Sequence, residues 1–228
     1  AHTIVLTASG SIITWGANGF GQCSRASVAP HVAPARPRFF ADEKLVSVSC
    51  GGVHTLVLTA AGRLLAFGCN AAGQLGAGSI SSSVQPVPQM VGLPLGAVVA
   101  QIACGEEFSC VLLSDGCLLT WGFGGCGQLG HGSRRSLRQP TQVECDAKLK
   151  HVACGAGHMV AVTADGSLLR WGYEGTWDAL QQRVHKMTEL NADESSITGL
   201  DMRPRSTTLE TADSASMGSR RAALRVAA

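Results

Sequence analysis

Cys50-Gly51-Gly52-Val53-His54-Thr55-Leu56-Val57-Leu58-Thr59-Ala60-Ala61-Gly62-Arg63-Leu64-Leu65-Ala66-Phe67-Gly68-Cys69-Asn70-Ala71-Ala72-Gly73-Gln74-Leu75-Gly76 is the stretch on which the fold turns. Two apolar runs of strand length, His54–Thr59 and Arg63–Phe67, flank the turn Ala61-Gly62, and a third, Leu45–Cys50, precedes them. Glycine supplies the positive φ that a tight hairpin requires. The stretch closes on an aromatic-Gly pair, Phe67-Gly68, and a Gly-Gln-Leu-Gly block at 73–76.

The same blocks recur on both sides. Downstream stand Cys104-Gly105, Phe108–Leu113, Asp115-Gly116, Trp121-Gly122 and Gly127-Gln128-Leu129-Gly130. Upstream stand His2–Thr7, Ser9-Gly10, Trp15-Gly16 and Gly21-Gln22. A fourth copy carries Cys154-Gly155, His158–Thr163, Asp165-Gly166 and Trp171-Gly172 and then departs, with Tyr173–Trp177 where the Gly-Gln block is due. The aromatic falls at 15, 67, 121 and 171, and the position of His2, His54, Phe108 and His158 keeps the same steps of 52, 54 and 50. Two landmarks on one irregular ruler mark an internal repeat. Arg36-Pro37, Gln85-Pro86 and Gln139-Pro140 suggest a fourth strand in each unit, placed at an edge because proline cannot donate to a ladder. Four antiparallel strands every ~50 residues make a propeller blade, and no ten-residue run with helical periodicity supports a helical array instead. The fold class expected is therefore all-β: a β-propeller of four-stranded antiparallel blades forming an incomplete ring.

Composition agrees. Hydrophobic residues make up 45% and charged residues 15% of 228 residues, as in a folded chain. A net charge of +2 and a pI near 8.2 are too mild to imply a nucleic-acid binder, so nucleic acid is not supported as a partner. No run of 18 apolar residues is present, so no membrane helix is expected. The nine cysteines include no CxxC pair, which argues against a disulfide framework or a common zinc site. They read as small buried thiols in a reducing intracellular compartment, nucleus or cytoplasm.

These motifs resemble the repeat of the regulator of chromosome condensation family, over about residues 1–175. The resemblance implies a ring of about seven blades, of which this chain carries three to four. The missing blades are expected elsewhere in the chain or in a partner, and the opening in mid-motif at His2 points to a fragment or a processed form. Residues 176–228 are expected as a short amphipathic helix over 178–191, with Leu180, Val184 and Met187 on one face, followed by a flexible or irregular tail.

The candidate chemistry divides in two. His2, His54 and His158, with Phe108 in their place in the third unit, read as packing positions, because the site accepts either ring. Trp15, Trp121 and Trp171 read as core rather than as a light-sensing indole cluster, and Gly16, Gly68, Gly122 and Gly172 as their structural companions. Cys50, Cys104 and Cys154 track the repeat and read as buried thiols; no metal or other cofactor is expected. The unit-specific loops are where binding is expected. His131, Arg134, Arg135 and Arg138 stand in the third unit, where the second has the uncharged 77–83. The arginines can fork onto carboxylates or phosphates, or remain solvated loop charge. The acidic pair Glu106-Glu107 faces a basic partner or water.

No nucleophile elbow, P-loop, HExxH or dinucleotide fingerprint is present, so no catalytic residue is assigned. The function expected is a scaffold that docks protein partners through its blade loops. Two alternatives stand beside it: a guanine nucleotide exchange factor for a Ran-like small GTPase, by analogy with the family's founding member, and a structural subunit of a large assembly.

Overall fold

The computed structural model describes residues 1–25, 28–78, 83–173, 188–190 and 225–227. Blade 1 contains β1 (His2–Leu6), β2 (Ile12–Ala17) and β3 (His31–Ala35). Blade 2 contains β4 (Leu45–Cys50), β5 (His54–Thr59), β6 (Leu64–Cys69) and β7 (Val84–Met90). Blade 3 contains β8 (Val99–Cys104), β9 (Phe108–Leu113), β10 (Leu118–Gly122) and β11 (Leu137–Gln142). Blade 4 contains β12 (Leu149–Cys154), β13 (His158–Thr163), β14 (Leu168–Gly172) and β15 (Thr188–Leu190). A last strand, β16 (Arg225–Ala227), pairs with β1 and brings blade 1 to four strands, in the order β16-β1-β2-β3. All four sheets are antiparallel; blades 2, 3 and 4 are simple meanders, blade 1 takes its first strand from the far end of the chain, and β4, β8 and β12 lie side by side as inner strands of an incomplete ring.

The core lies between blades. One apolar cluster joins Ile4, Ile12 and Phe40 to Leu45, Val57 and Phe67. A second joins Leu56, Leu64 and Leu75 to Ile102, Val111 and Trp121, and a third joins Phe108, Cys110 and Leu129 to Val152, Met159 and Trp171. Because blades cover one another face to face, β5 and β9 are buried along their whole length. The alternation of a half-buried strand is lost there. β2 and β14, whose blades each have one uncovered flank, keep several half-exposed residues.

Three expectations need correction. The blade 1 edge strand ends at Ala35, before Arg36-Pro37, because the Arg25 guanidinium donates to the carbonyls of Thr14, Ala35 and Arg36 and turns the chain there. The helix expected over 178–191 falls outside the described residues except at Thr188–Leu190, which is strand β15. The open ladder of Leu168–Arg170 offers backbone donors and acceptors that a strand satisfies and a helix cannot. Likewise Arg225–Ala227, within the expected tail, pairs with Ile4–Leu6.

Candidate functional site

Strand direction sorts the loops. In blades 2 and 3 the turn between the first and second strands and the loop between the third and fourth emerge at the same end, with the inner turn of blade 4 beside them; the hairpins and inter-blade connections emerge at the other. Glu106 and Glu107 sit on the inner turn of blade 3, and His131, Arg134 and Arg135 on its outer loop, with Arg138 at the start of β11. The fold thus gathers all six candidates on or beside one face.

The inner turns are laced together. Gly52 N donates to the Glu106 carbonyl at 3.0 Å, and Glu106 N donates to the Ala156 carbonyl at 3.2 Å. Gly157, next along, lies against Cys126, whose thiol burial pushes up and the Arg134 charge pulls back down. Acidic pair and arginine loop are therefore linked through the inner turn of blade 4, with the acids toward the channel and the arginines toward the rim. Glu106, Arg134, Arg135 and Arg138 are exposed and Glu107 is half-buried.

The arginine loop is held in shape. The Ser136 hydroxyl accepts from Gly124 N at 3.2 Å, and Gly78 N donates to the Arg138 carbonyl at 3.1 Å. His131 anchors the loop from inside: the Thr120 hydroxyl donates to the Leu129 carbonyl at 2.6 Å, so His131 Nε2–H donates to Thr120 Oγ1 at 2.9 Å. Burial lowers the His131 pKa, with Glu144 opposing. Of the six candidates His131 is thus committed to the loop's own structure, and the other five have side chains available at the surface.

The repeated residues build the junctions. The Trp121 indole donates to the Gln74 carbonyl of the preceding blade at 2.8 Å, and the Trp171 indole to the Gln128 carbonyl at 2.9 Å. Thr55 and Ser109 hydroxyls donate to the Gln22 and Gln74 carbonyls at 3.0 and 2.8 Å. Each hydroxyl proton being spent, His2 Nε2–H and His54 Nε2–H must donate to Thr55 and Ser109, each at 2.9 Å. The glutamine side chains work locally: Oε1 of Gln22, Gln74 and Gln128 accepts from the backbone N two residues earlier. Sequence reading missed the glutamine carbonyls, although the recurring Gly-Gln pair was their signal. Gly122 has φ +101°, and a Cβ there would stand 2.6 Å from the Glu107 carbonyl; Gly16, Gly68 and Gly172 occupy equivalent places with φ between +98° and +113°. Trp15, on the uncovered flank of blade 1, is half-exposed. Among the described residues no group of three His, Cys, Asp or Glu could hold a metal ion, and no helix is long and apolar enough to cross a membrane.

Comparison with known proteins agrees with this architecture. The family profile described as "Regulator of chromosome condensation (RCC1) repeat" matches residues 9–58, 61–112 and 115–162. The probable E3 ubiquitin-protein ligase HERC4 of Homo sapiens is 37% identical over 145 residues, which is 63% of this chain and 14% of that protein. Protein RCC2 of Homo sapiens is 35% identical over 150 residues, which is 65% of this chain and 28% of that protein. The chain therefore spans less than a third of either curated relative. Among solved structures, yeast RCC1 (Prp20) bound to Kap60 superposes with a TM-score of 0.72 at 24% identity, covering 85% of this chain and 47% of that one. Human WBSCR16 gives 0.71 at 22% identity, covering 83% and 50%.

Proposed function

The chain belongs to the regulator of chromosome condensation repeat family, and on that premise we propose that it docks a protein partner on the face formed by its inner turns and outer loops. The observation that carries this reading is the meeting of the Glu106 turn and the loop that bears Arg134 at the inner turn of blade 4, where Glu106 N donates to the Ala156 carbonyl and Gly157 lies against Cys126. It makes one surface with acids at the channel mouth and three arginines at the rim. Such a surface favours a partner with the opposite arrangement, a basic group reaching the channel and carboxylates on its flank. Residues 1–175 are the docking unit, which β15 and β16 from 176–228 complete as the fourth strands of blades 4 and 1.

The test uses the chain as bait, with captured proteins identified by mass spectrometry. Arg134, Arg135 and Arg138 changed together to Glu should cut partner recovery about tenfold. Lys148→Glu, at the opposite end of the blades, should leave it unchanged. Equal recovery by both variants returns the arginine loop to solvated surface. Nucleotide exchange on a Ran-like GTPase is the second reading, favoured by the fold shared with yeast RCC1. Its sign would be faster release of bound nucleotide by wild type than by the triple variant.

A further inference from the structure

Each junction sets the last residue of an inner strand against the third residue of the preceding blade's second strand. Cys50 meets the backbone of Ile4, and Cys104 that of Leu56. At the third junction the corresponding residues are Cys154 and Cys110, so an apolar side chain has given way to a second thiol. Their Sγ atoms lie 3.6 Å apart and share a hydrogen bond. Cys110 is fully buried and Cys154 half-buried. The repeat does not call for a thiol at residue 110, since Ile4, Leu56 and Val160 fill the same place in the other blades. The sulfurs need close by only about 1.5 Å to reach bonding distance.

We propose that Cys110 and Cys154 form a dithiol oxidation site, which a peroxide converts to a disulfide locking blade 3 to blade 4. Cys154, the more accessible, reacts first. Its thiolate attacks one peroxide oxygen, the O–O bond breaks, and the sulfenic acid forms as the departing hydroxide takes up the thiol proton to become water. The Cys110 sulfur then attacks the sulfenic sulfur. The S–S bond forms, the S–O bond breaks, and hydroxide leaves with the Cys110 proton as a second water. The two thiols give up two electrons and one hydrogen peroxide is reduced to two waters. The hydrogen bond with Cys110, then burial, hold the Cys154 thiol well above its ordinary pKa. The reduced pair therefore resists weak oxidants, and its oxidation speeds up as pH rises.

The test treats the full chain with hydrogen peroxide at alkaline pH, blocks the remaining thiols and maps unreduced peptides. The expected product is a Cys110–Cys154 cross-linked peptide pair, in a chain lighter by two hydrogens. Its Tm should rise by about 5–10 °C and return with dithiothreitol. Cys110→Leu installs the residue that blade 2 uses and should lose both cross-link and shift while keeping the reduced protein's Tm. Cys154→Ala serves if that variant does not fold. Free Cys110 and Cys154 after the half-buried Cys117 and Cys145 have oxidised, or a cross-link from Cys154 to Cys104, would overturn the proposal.

Discussion

Junctions 1–2 and 2–3 differ in chemistry from junction 3–4, although the same strands build all three. In the first two a buried histidine donates to a hydroxyl that donates in turn to a glutamine carbonyl: His2–Thr55–Gln22 and His54–Ser109–Gln74. In the third, Phe108 stands for the histidine and Met159 for the hydroxyl, both fully buried in one apolar cluster. The two positions have changed together. A histidine facing a methionine would bury an unmet N–H, and a phenylalanine facing a serine would deprive its oxygen of a donor. What the fold requires is a filled and satisfied contact; either chemistry meets that demand. A second pair behaves alike. Gly76 and Gly130, at φ +70° and +79°, leave room for the indoles of Trp121 and Trp171, whereas Ser24 takes that place before blade 2, which carries Phe67.

The contrast can be broken most severely by emptying the apolar junction. Phe108→Ala should cost about 4 kcal/mol in denaturant unfolding, since the cavity lies among fully buried neighbours. A loss under 1 kcal/mol would mean that the junction collapses freely.

Acid separates the junctions next. Burial lowers His2 from 6.5 to about 4, and burial, then His2, lowers His54 to about 3. Below pH 6.5 the unfolded chain takes up protons that the folded chain refuses. Stability is therefore complete above that pH and falls as pH drops toward 4, by up to about 1.4 kcal/mol per pH unit for each histidine. His54→Phe with Ser109→Met copies junction 3–4 and should remove the share of His54; an unchanged slope between pH 6.5 and 4.5 would contradict the assignment.

Smaller effects sharpen the picture. Trp171→Phe, which leaves the Gln128 carbonyl without its indole donor, should cost about 2 kcal/mol by thermal unfolding. Ser24→Gly should act in the opposite direction, raising stability by about 1 kcal/mol. It relieves a side chain at φ 53° whose buried hydroxyl lacks a hydrogen-bond partner. Destabilisation by Ser24→Gly would show that the serine is favoured there.

Much of this architecture is legible in the sequence. The apolar runs at Leu45–Cys50 and His54–Thr59 are strands with those bounds, because hairpin glycines punctuate them. The blade 1 edge strand was misplaced, since proline marks an edge but does not locate it, and the Arg25 clasp that ends the strand is a long-range contact. The candidate loops could be picked out by their departure from the repeat, whereas their meeting on one face follows from strand direction. The junction hydrogen bonds stayed hidden for a different reason. Their acceptors are backbone carbonyls, which every residue has, and only the fold selects Gln22, Gln74 and Gln128. The thiol pair needed the same information: Cys110 is one cysteine among nine until blade 4 packs Cys154 against it.

The paired-contact account is tested most directly by a double-mutant cycle at junction 3–4, combining Phe108→His with Met159→Thr and measuring unfolding in denaturant at pH 8. Each single change should destabilise by about 2 kcal/mol, and the double should recover most of that loss, a coupling of about 2 kcal/mol. Additive losses would contradict the account and reduce the histidine–hydroxyl contacts of the other junctions to incidental packing.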